Sequence, residues 1–326
     1  MRRPAGSLST ARREADEFTI VSGYVNGYTT GTPLTILIPN TQQKSADYDA
    51  LKARPRPAHA DYTAQCKYHG FQDARGGGHF SGRITAALVA AGAVALQILE
   101  SRGITVGSHI AACAGIPDAP LPAAEPALTE TLKKLNKMPF ATVSAEAADR
   151  MRTAAEEARK ELDSVGGVVE TAVTGLPAGV GEPWFDTVEG VLAKLLFSVP
   201  AVKGVEFGAG FALANMHGST ANDPFFFDEA GRVRTLTNHN GGVNGGITNG
   251  MPLIVRAAVK PTPSIYKPQQ TVDLNEKTAA TIAIEGRHDP AIVHRARVVM
   301  DSMVAIGLVD LCSLRYGTDW QRAETK

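Results

Sequence analysis

Cysteine is scarce in this chain. Cys66, Cys113 and Cys312 are odd in number, far apart and include no CxxC pair. That spacing excludes a disulfide framework and a short-spaced zinc site, and it fits a reducing compartment. Excess charge is also lacking: 33 Lys and Arg balance 33 Asp and Glu. A neutral chain is a poor candidate for a general nucleic-acid binder, which shows a basic excess. The basic start Met1-Arg2-Arg3 is followed by polar residues, with no apolar core of a signal peptide. The longest apolar run, Ile84 to Leu99, is shorter than a membrane span, contains Gln97 and is rich in alanine. It predicts a helix buried by close-packed neighbours, in a soluble, cytosolic protein that touches no membrane.

What is present is ample for a core, since 44% of the 326 residues are hydrophobic. FTIVSGYV (18–25) and TPLTILIPN (32–40) alternate like strands across a turn-rich NGYTTG. From Thr41 to Gly82 no periodic element is evident, which is uncommon in a compact domain. A strand-like stretch follows the apolar helix at 104–115. AEAADRMRTAAEEARKEL (145–162) then places Ala148, Met151, Ala155 and Ala158 on one helical face. Strand patterns recur at 166–177, and in the glycine-rich second half around 202, 251 and 278. Helix patterns recur at 188–199 and 291–314. Strands and helices in blocks predict a layered α+β fold rather than a doubly wound sheet.

Chemistry concentrates in a few loops. Residues 52–83 carry Lys52, Arg54, Arg56, Lys67, Arg75 and Arg83 against only Asp61 and Asp73, a zone suited to a small anionic ligand. RGGGHFSGR (75–83) stands at the mouth of the apolar helix. Its glycines either let an anion reach unsatisfied amides or simply make a tight turn. Ser81 is placed to cap the helix or to bind that anion. In RPRPAHADY (54–62), His59 has the side chain best suited to proton transfer near neutrality, with Asp61 beside it to orient it. The alternative is a surface histidine in a proline-rich loop. His59, His69 and His79 recur every ten residues, but no short ligand spacing accompanies them, and no metal is expected. GRHDP (286–290), KPTPS (260–264) and NHNGGVNGGITNG (238–250) add a guanidinium, a lysine, hydroxyls and exposed backbone.

In this order and spacing, TTGTP, RPxHADYT, RGGGHFSGR, GxPAGxGEPxFD, PAVKGVEFGxGF, GSxxND, NHNGGxxGGIxNG, KPTxSI and GRHDP resemble chorismate synthase from about Arg2 to about Leu314. The resemblance implies a single domain over 1–326 with a β-α-β sandwich, helices lying between two antiparallel sheets, assembled as a homotetramer. It implies anti-1,4-elimination of phosphate from 5-enolpyruvylshikimate 3-phosphate, the last common step of aromatic amino acid biosynthesis. Reduced FMN is required without net redox change, and NADPH is a possible source of its electrons.

By motif, His59 resembles the histidine that protonates reduced flavin, and Asp289 the aspartate that helps the flavin take the substrate proton. His79, Phe80, Ser81, Pro200, Ala201, Gly245, Lys260, Pro261, Thr262, Pro263, Ser264 and Arg287 match positions that hold FMN. Arg2, Arg56, Ser81, Gly82 and Arg83 match positions around the substrate, whose phosphate and two carboxylates suit forked guanidinium groups.

Two departures stand out. HFSGR replaces an RSSAR found in many members, so the His79 and Phe80 contacts are expected through backbone. The family's opening strand and GxSHG motif, with its second catalytic histidine, precede the point where this sequence starts. The expectation drawn from that is weak flavin binding and slow or absent chorismate formation. The alternative it leaves is a flavin- or anion-binding oligomer without synthase activity.

Overall fold

The structure is a computed structural model that describes Leu8 and residues 17–40, 53–73, 75–284 and 289–322, with backbone alone at 75–77. Its first described strands form two small hairpins. β1 (Thr19–Ser22) pairs with β4 (Thr35–Leu37), and β2 (Tyr24–Val25) pairs with β3 (Tyr28–Thr29) between them. The aperiodic stretch contains a seven-residue helix, α1 (Asp61–Lys67), and the apolar helix follows as α2 (Thr85–Ser101).

The remaining elements run in chain order. β5 (Thr105–Cys113) and β6 (Ile116–Pro117) lead to α3 (Ala127–Leu135) and α4 (Ala145–Lys160). Next come β7 (Gly167–Thr174), α5 (Val188–Phe197), β8 (Val202–Phe207) and the one-turn α6 (Gly218–Ala221). Two hairpins, β9–β10 (Phe225–Phe227, Val233–Thr235) and β11–β12 (Val243–Asn244, Ile247–Thr248), precede β13 (Leu253–Val259). A third, β14–β15 (Gln269–Asp273, Thr278–Ile282), leads to the long α7 (Val293–Tyr316).

One five-stranded antiparallel sheet, ordered β6-β5-β7-β13-β8, is the scaffold. Strand alternation splits its side chains between two faces. Val169 and Val173 of β7, with Val106, Ile110, Val255 and Ala257 of its neighbours, meet Met300, Val304 and Leu308 of α7 in the main core. Ala172 points the other way, where Leu128, Leu132 and Leu135 of α3 form a second cluster with Ala141. The α+β class is therefore as expected. Beyond the five-stranded sheet, the described strands occur as two-stranded pieces rather than as a second wide sheet.

Two expectations about helices fare differently. The amphipathic reading of 145–162 matches α4, whose Ala147, Ala148, Met151 and Ala155 are buried and whose start is capped by Ser144 accepting from Ala147 N at 3.2 Å. Enclosure of α2 is not seen: Gly92, Ala95 and Leu99 are buried against α7, while Ala86, Ala87 and Ala91 are exposed. The reason is one-sided packing, because the described layers cover only the face that meets α7. By length and composition Gly82–Ser101 would also suit a membrane span, the one such helix among the described residues.

The α3-side face of the sheet carries a row of charges directly opposite one another: His109 on β5, Glu170 on β7, Arg256 on β13 and Glu206 on β8. His109 Nδ1 is 2.7 Å from Asp118 and its Nε2 is 3.2 Å from Glu170. Arg256 donates to Glu170 at 3.3 Å and to Glu206 at 2.7 Å. Asp118 in turn accepts from the amides of Ala119, Val143 and Ser144, which pins the start of α4. Burial opposes charge on His109, but its bonds to the two carboxylates outweigh burial and raise its pKa. Burial opposes ionisation of Asp118 and Glu170 likewise, and their hydrogen bonds lower them.

The sign of the pH dependence follows. Stability from His109 is full below its ordinary value of 6.5 and is lost as pH rises through the raised folded value. Stability from Asp118 and Glu170 is full above their ordinary values of 3.8 and 4.5 and is lost as pH falls through the lowered ones. The row contributes most between those limits. Urea unfolding of the parent and of His109→Gln should therefore differ most near about pH 5.5 and converge in mild alkali. A gap that stays constant with pH would refute the assignment.

Candidate active site

The site is built on the KPTPS loop that leaves β13. Pro261 and Pro263 restrict its backbone, and each polar residue of the loop reaches a different partner. Lys260 N donates to Ala201 O at 2.9 Å, and Lys260 Nζ donates to Ala58 O. Ala201, next to Pro200, holds a left-handed φ of 75° at the start of β8. Thr262 Oγ1 donates to Asp289 O at 3.0 Å, and Thr262 O accepts from Ser164 Oγ at 2.7 Å. Ser264 Oγ accepts from Arg56 Nη1 at 3.2 Å. One five-residue loop thus joins the His59 segment, Ala201 and Asp289.

The RPRPAHAD segment folds on itself around Asp61, the first residue of α1. Asp61 Oδ2 accepts from Arg56 N at 3.0 Å and from Arg56 Nε at 2.7 Å. Asp61 Oδ1 lies 2.7 Å from Arg56 Nη2 and 2.8 Å from His59 Nδ1. Burial would raise the Asp61 pKa, yet the hydrogen bonds and charges of Arg56 and His59 hold it far below the usual carboxylate range. Asp289 is buried with Oδ2 3.1 Å from Arg295 Nη1.

Arg56, matched to the surroundings of the substrate, has a side chain only 8% exposed, and its guanidinium meets Asp61, His59 and Ser264. Of the other substrate positions, Gly82 and Arg83 are exposed at the entry to α2, and Arg2 lies outside the described residues. Arg287 also lies outside them.

In the loop before α2 the described contacts are structural ones. Ser81 is a cap, its Oγ accepting from Arg83 N at 3.3 Å. Gly78 has φ 57°, and a Cβ there would collide with Asp73 O, so this glycine answers to a tight turn. His79 and Phe80 close a six-residue 3₁₀ segment, with the Phe80 ring 6.3 Å from that of Tyr68. Gly245 sits at the two-residue turn of β11–β12, where Gly246 O accepts from Val188 N at 3.0 Å. Hydrogen bonds among the described residues do not carry the KPTPS network to His79, Phe80, Gly82 or Gly245.

NHNGG has a structural explanation in Asp223, the aspartate of GSxxND, which accepts from His239 N, Asn240 N and Thr237 Oγ1 at 2.6–2.9 Å. Among the described residues no group of His, Cys, Asp and Glu is arranged to hold a metal. The donor set around KPTPS fits an anionic flavin phosphate and ring: an ammonium at Lys260, hydroxyls at Thr262 and Ser264, and carbonyl-fixed backbone between them.

A histidine bonded to a carboxylate thus lies next to a loop whose lysine and threonine reach the carbonyls of Ala58 and Asp289, all on an α+β scaffold. The chain belongs to the chorismate synthase family, whose profile matches residues 1–313. It is 50% identical to the chorismate synthase of Thermococcus gammatolerans over 303 residues, 93% of this chain and 83% of the relative. It is 46% identical to that of Korarchaeum cryptofilum, over 95% of this chain and 84% of the relative. A solved chorismate synthase crystal structure superposes with a TM-score of 0.72 at 29% identity, covering 93% of this chain and 80% of that one.

Proposed function

We propose that this lyase removes phosphate from 5-enolpyruvylshikimate 3-phosphate to give chorismate, with reduced FMN bound at the KPTPS loop. The observation that carries the reading is that the KPTPS loop, through Lys260, Thr262 and Ser264, bonds the carbonyl of Ala58 next to His59, the backbone carbonyl of Asp289 and the guanidinium of Arg56. Reduced flavin, when bound, supplies electron density as the phosphate departs. The chain's own residues position and neutralise. Lys260 places a cation beside the His59 segment, where a phosphate or a reduced ring carries negative charge. His59, with Nδ1 against Asp61, offers Nε2 as the atom that exchanges a proton. Asp289 holds its carboxylate beside Arg295, ready to assist removal of the C–H proton. Gly82 and Arg83 are exposed at the start of α2, where they would meet the substrate's anionic groups.

We also propose a cytoplasmic homotetramer. Unpaired Cys66, Cys113 and Cys312 suit a reducing compartment, and burial pushes the thiols of Cys113 and Cys312 up to about 11, which leaves them inert. Exposed Trp184, Phe185, Phe211 and the Phe225–Phe227 strand are apolar surface of the kind that subunits cover. NADPH as the electron source is the remaining part of the proposal.

Anaerobic titration with reduced FMN tests the flavin site. Saturable binding is expected, weakened roughly ten- to a hundredfold by Lys260→Ala, the scale of one charge-assisted hydrogen bond. Equal affinity in the variant would remove Lys260 from the site.

A further inference from the structure

Asp61 does not do what an acidic residue at a helix start ordinarily does. The first turn of α1 has no side-chain cap from Ala60, and the hydrogen bonds of Asp61 run to Arg56 and His59 instead. Four contacts fix both carboxylate oxygens, so the group has no freedom to rotate. The charged groups in contact with the His59 ring are then Asp61 and Arg56, and Lys260 bonds the carbonyl of the preceding residue, Ala58.

We propose that Asp61 is a positioning residue that holds His59 in the Nδ1–H tautomer, and that Arg56 locks it to the KPTPS loop through Ser264. The inference rests on His59 being the proton-exchanging group of the proposed reaction. An ionised carboxylate can only accept, so a Nδ1 at 2.8 Å from Oδ1 is favourable when it carries the proton. A bare Nδ1 would set lone pair against lone pair there and would turn to Arg56 Nη2, 3.0 Å away. The two neighbours thus favour opposite tautomers. Asp61 prevails because it carries a full negative charge, while both of its oxygens already hold the guanidinium in place. Nε2 is left as the exchanging atom, and the Arg56–Ser264 bond keeps it in register with the loop that carries Lys260 and touches Asp289.

The tautomer can be read without substrate or flavin, from long-range proton–nitrogen spectra of protein labelled with ¹⁵N-histidine. His59 in the parent is expected to carry its proton on Nδ1 when neutral, and Asp61→Asn to move it toward Nε2. Turnover in Asp61→Asn should fall on the order of a hundredfold or more with KM changed little, the pattern of a lost orienting carboxylate. A parent His59 protonated on Nε2 would overturn the proposal whether or not the variant folds. So would an Asp61→Asn protein with tautomer and turnover unchanged. A parent that makes no chorismate but shows the Nδ1–H signature would count against the proposed reaction and leave the tautomer assignment standing.

Discussion

His59→Ala should lower the rate of chorismate formation by about a hundredfold to ten-thousandfold, the usual contribution of a general acid or base. KM should change far less, because the imidazole is not where the anionic charge of substrate is met. The physical ground is the environment of the ring. Its Nδ1 is engaged by Asp61, and its side chain is 19% exposed, enough for one edge to face a ligand. Removing it also leaves Asp61 ionised with Arg56 still bidentate on it, so the segment should keep its fold. That separates lost chemistry from lost structure. Steady-state rates within a few-fold of the parent would return His59 to the status of a loop histidine.

The largest effect on stability is expected at Gly92. Helix propensity alone favours alanine over glycine in a helix by about 0.8–1 kcal/mol. Here α2 and α7 approach so closely that a Cβ on Gly92 would overlap the side chain of the fully buried Ser302. Overpacking of a tight core contact costs about 1–3 kcal/mol, which exceeds the gain in propensity. Gly92→Ala should therefore unfold at lower temperature than the parent, and Ser302→Gly in the same chain should restore part of the loss. A Gly92→Ala protein more stable than the parent would show that the two helices are not in this contact.

Long periodic segments were legible from the sequence. α4 shows its buried face at helical spacing, α7 is a long helical stretch buried almost all round over its first half, and the sheet strands show apolar runs bounded by glycine or proline. α1 was not legible, because DYTAQCK is one short polar helix with a single buried residue, Ala64. The charge row across the sheet left a faint signal: one ionisable residue inside an otherwise uncharged stretch, as in GSHIA, VETAV and IVRAA. Its meaning depends on register, which pairs His109 with Glu170 across 61 residues.

The site divides the same way. His59, Lys260 and Asp289 stand out by residue type within their motifs, whereas the bonds from the loop of Lys260 to the carbonyls of Ala58 and Asp289 show only after folding. The partners of Arg56 were legible only in part. Asp61 is five residues away and readable, whereas Ser264 is 208 residues away and visible only after folding.

The account's central claim is that this site couples phosphate loss to chorismate formation through reduced flavin. It is tested most directly by incubating the protein anaerobically with 5-enolpyruvylshikimate 3-phosphate and FMN, following chorismate absorbance and released phosphate together. Both products should appear at the same rate, one for one, when the FMN is reduced and not when it is oxidised. Phosphate released without chorismate, or no chorismate with reduced FMN present, would contradict it.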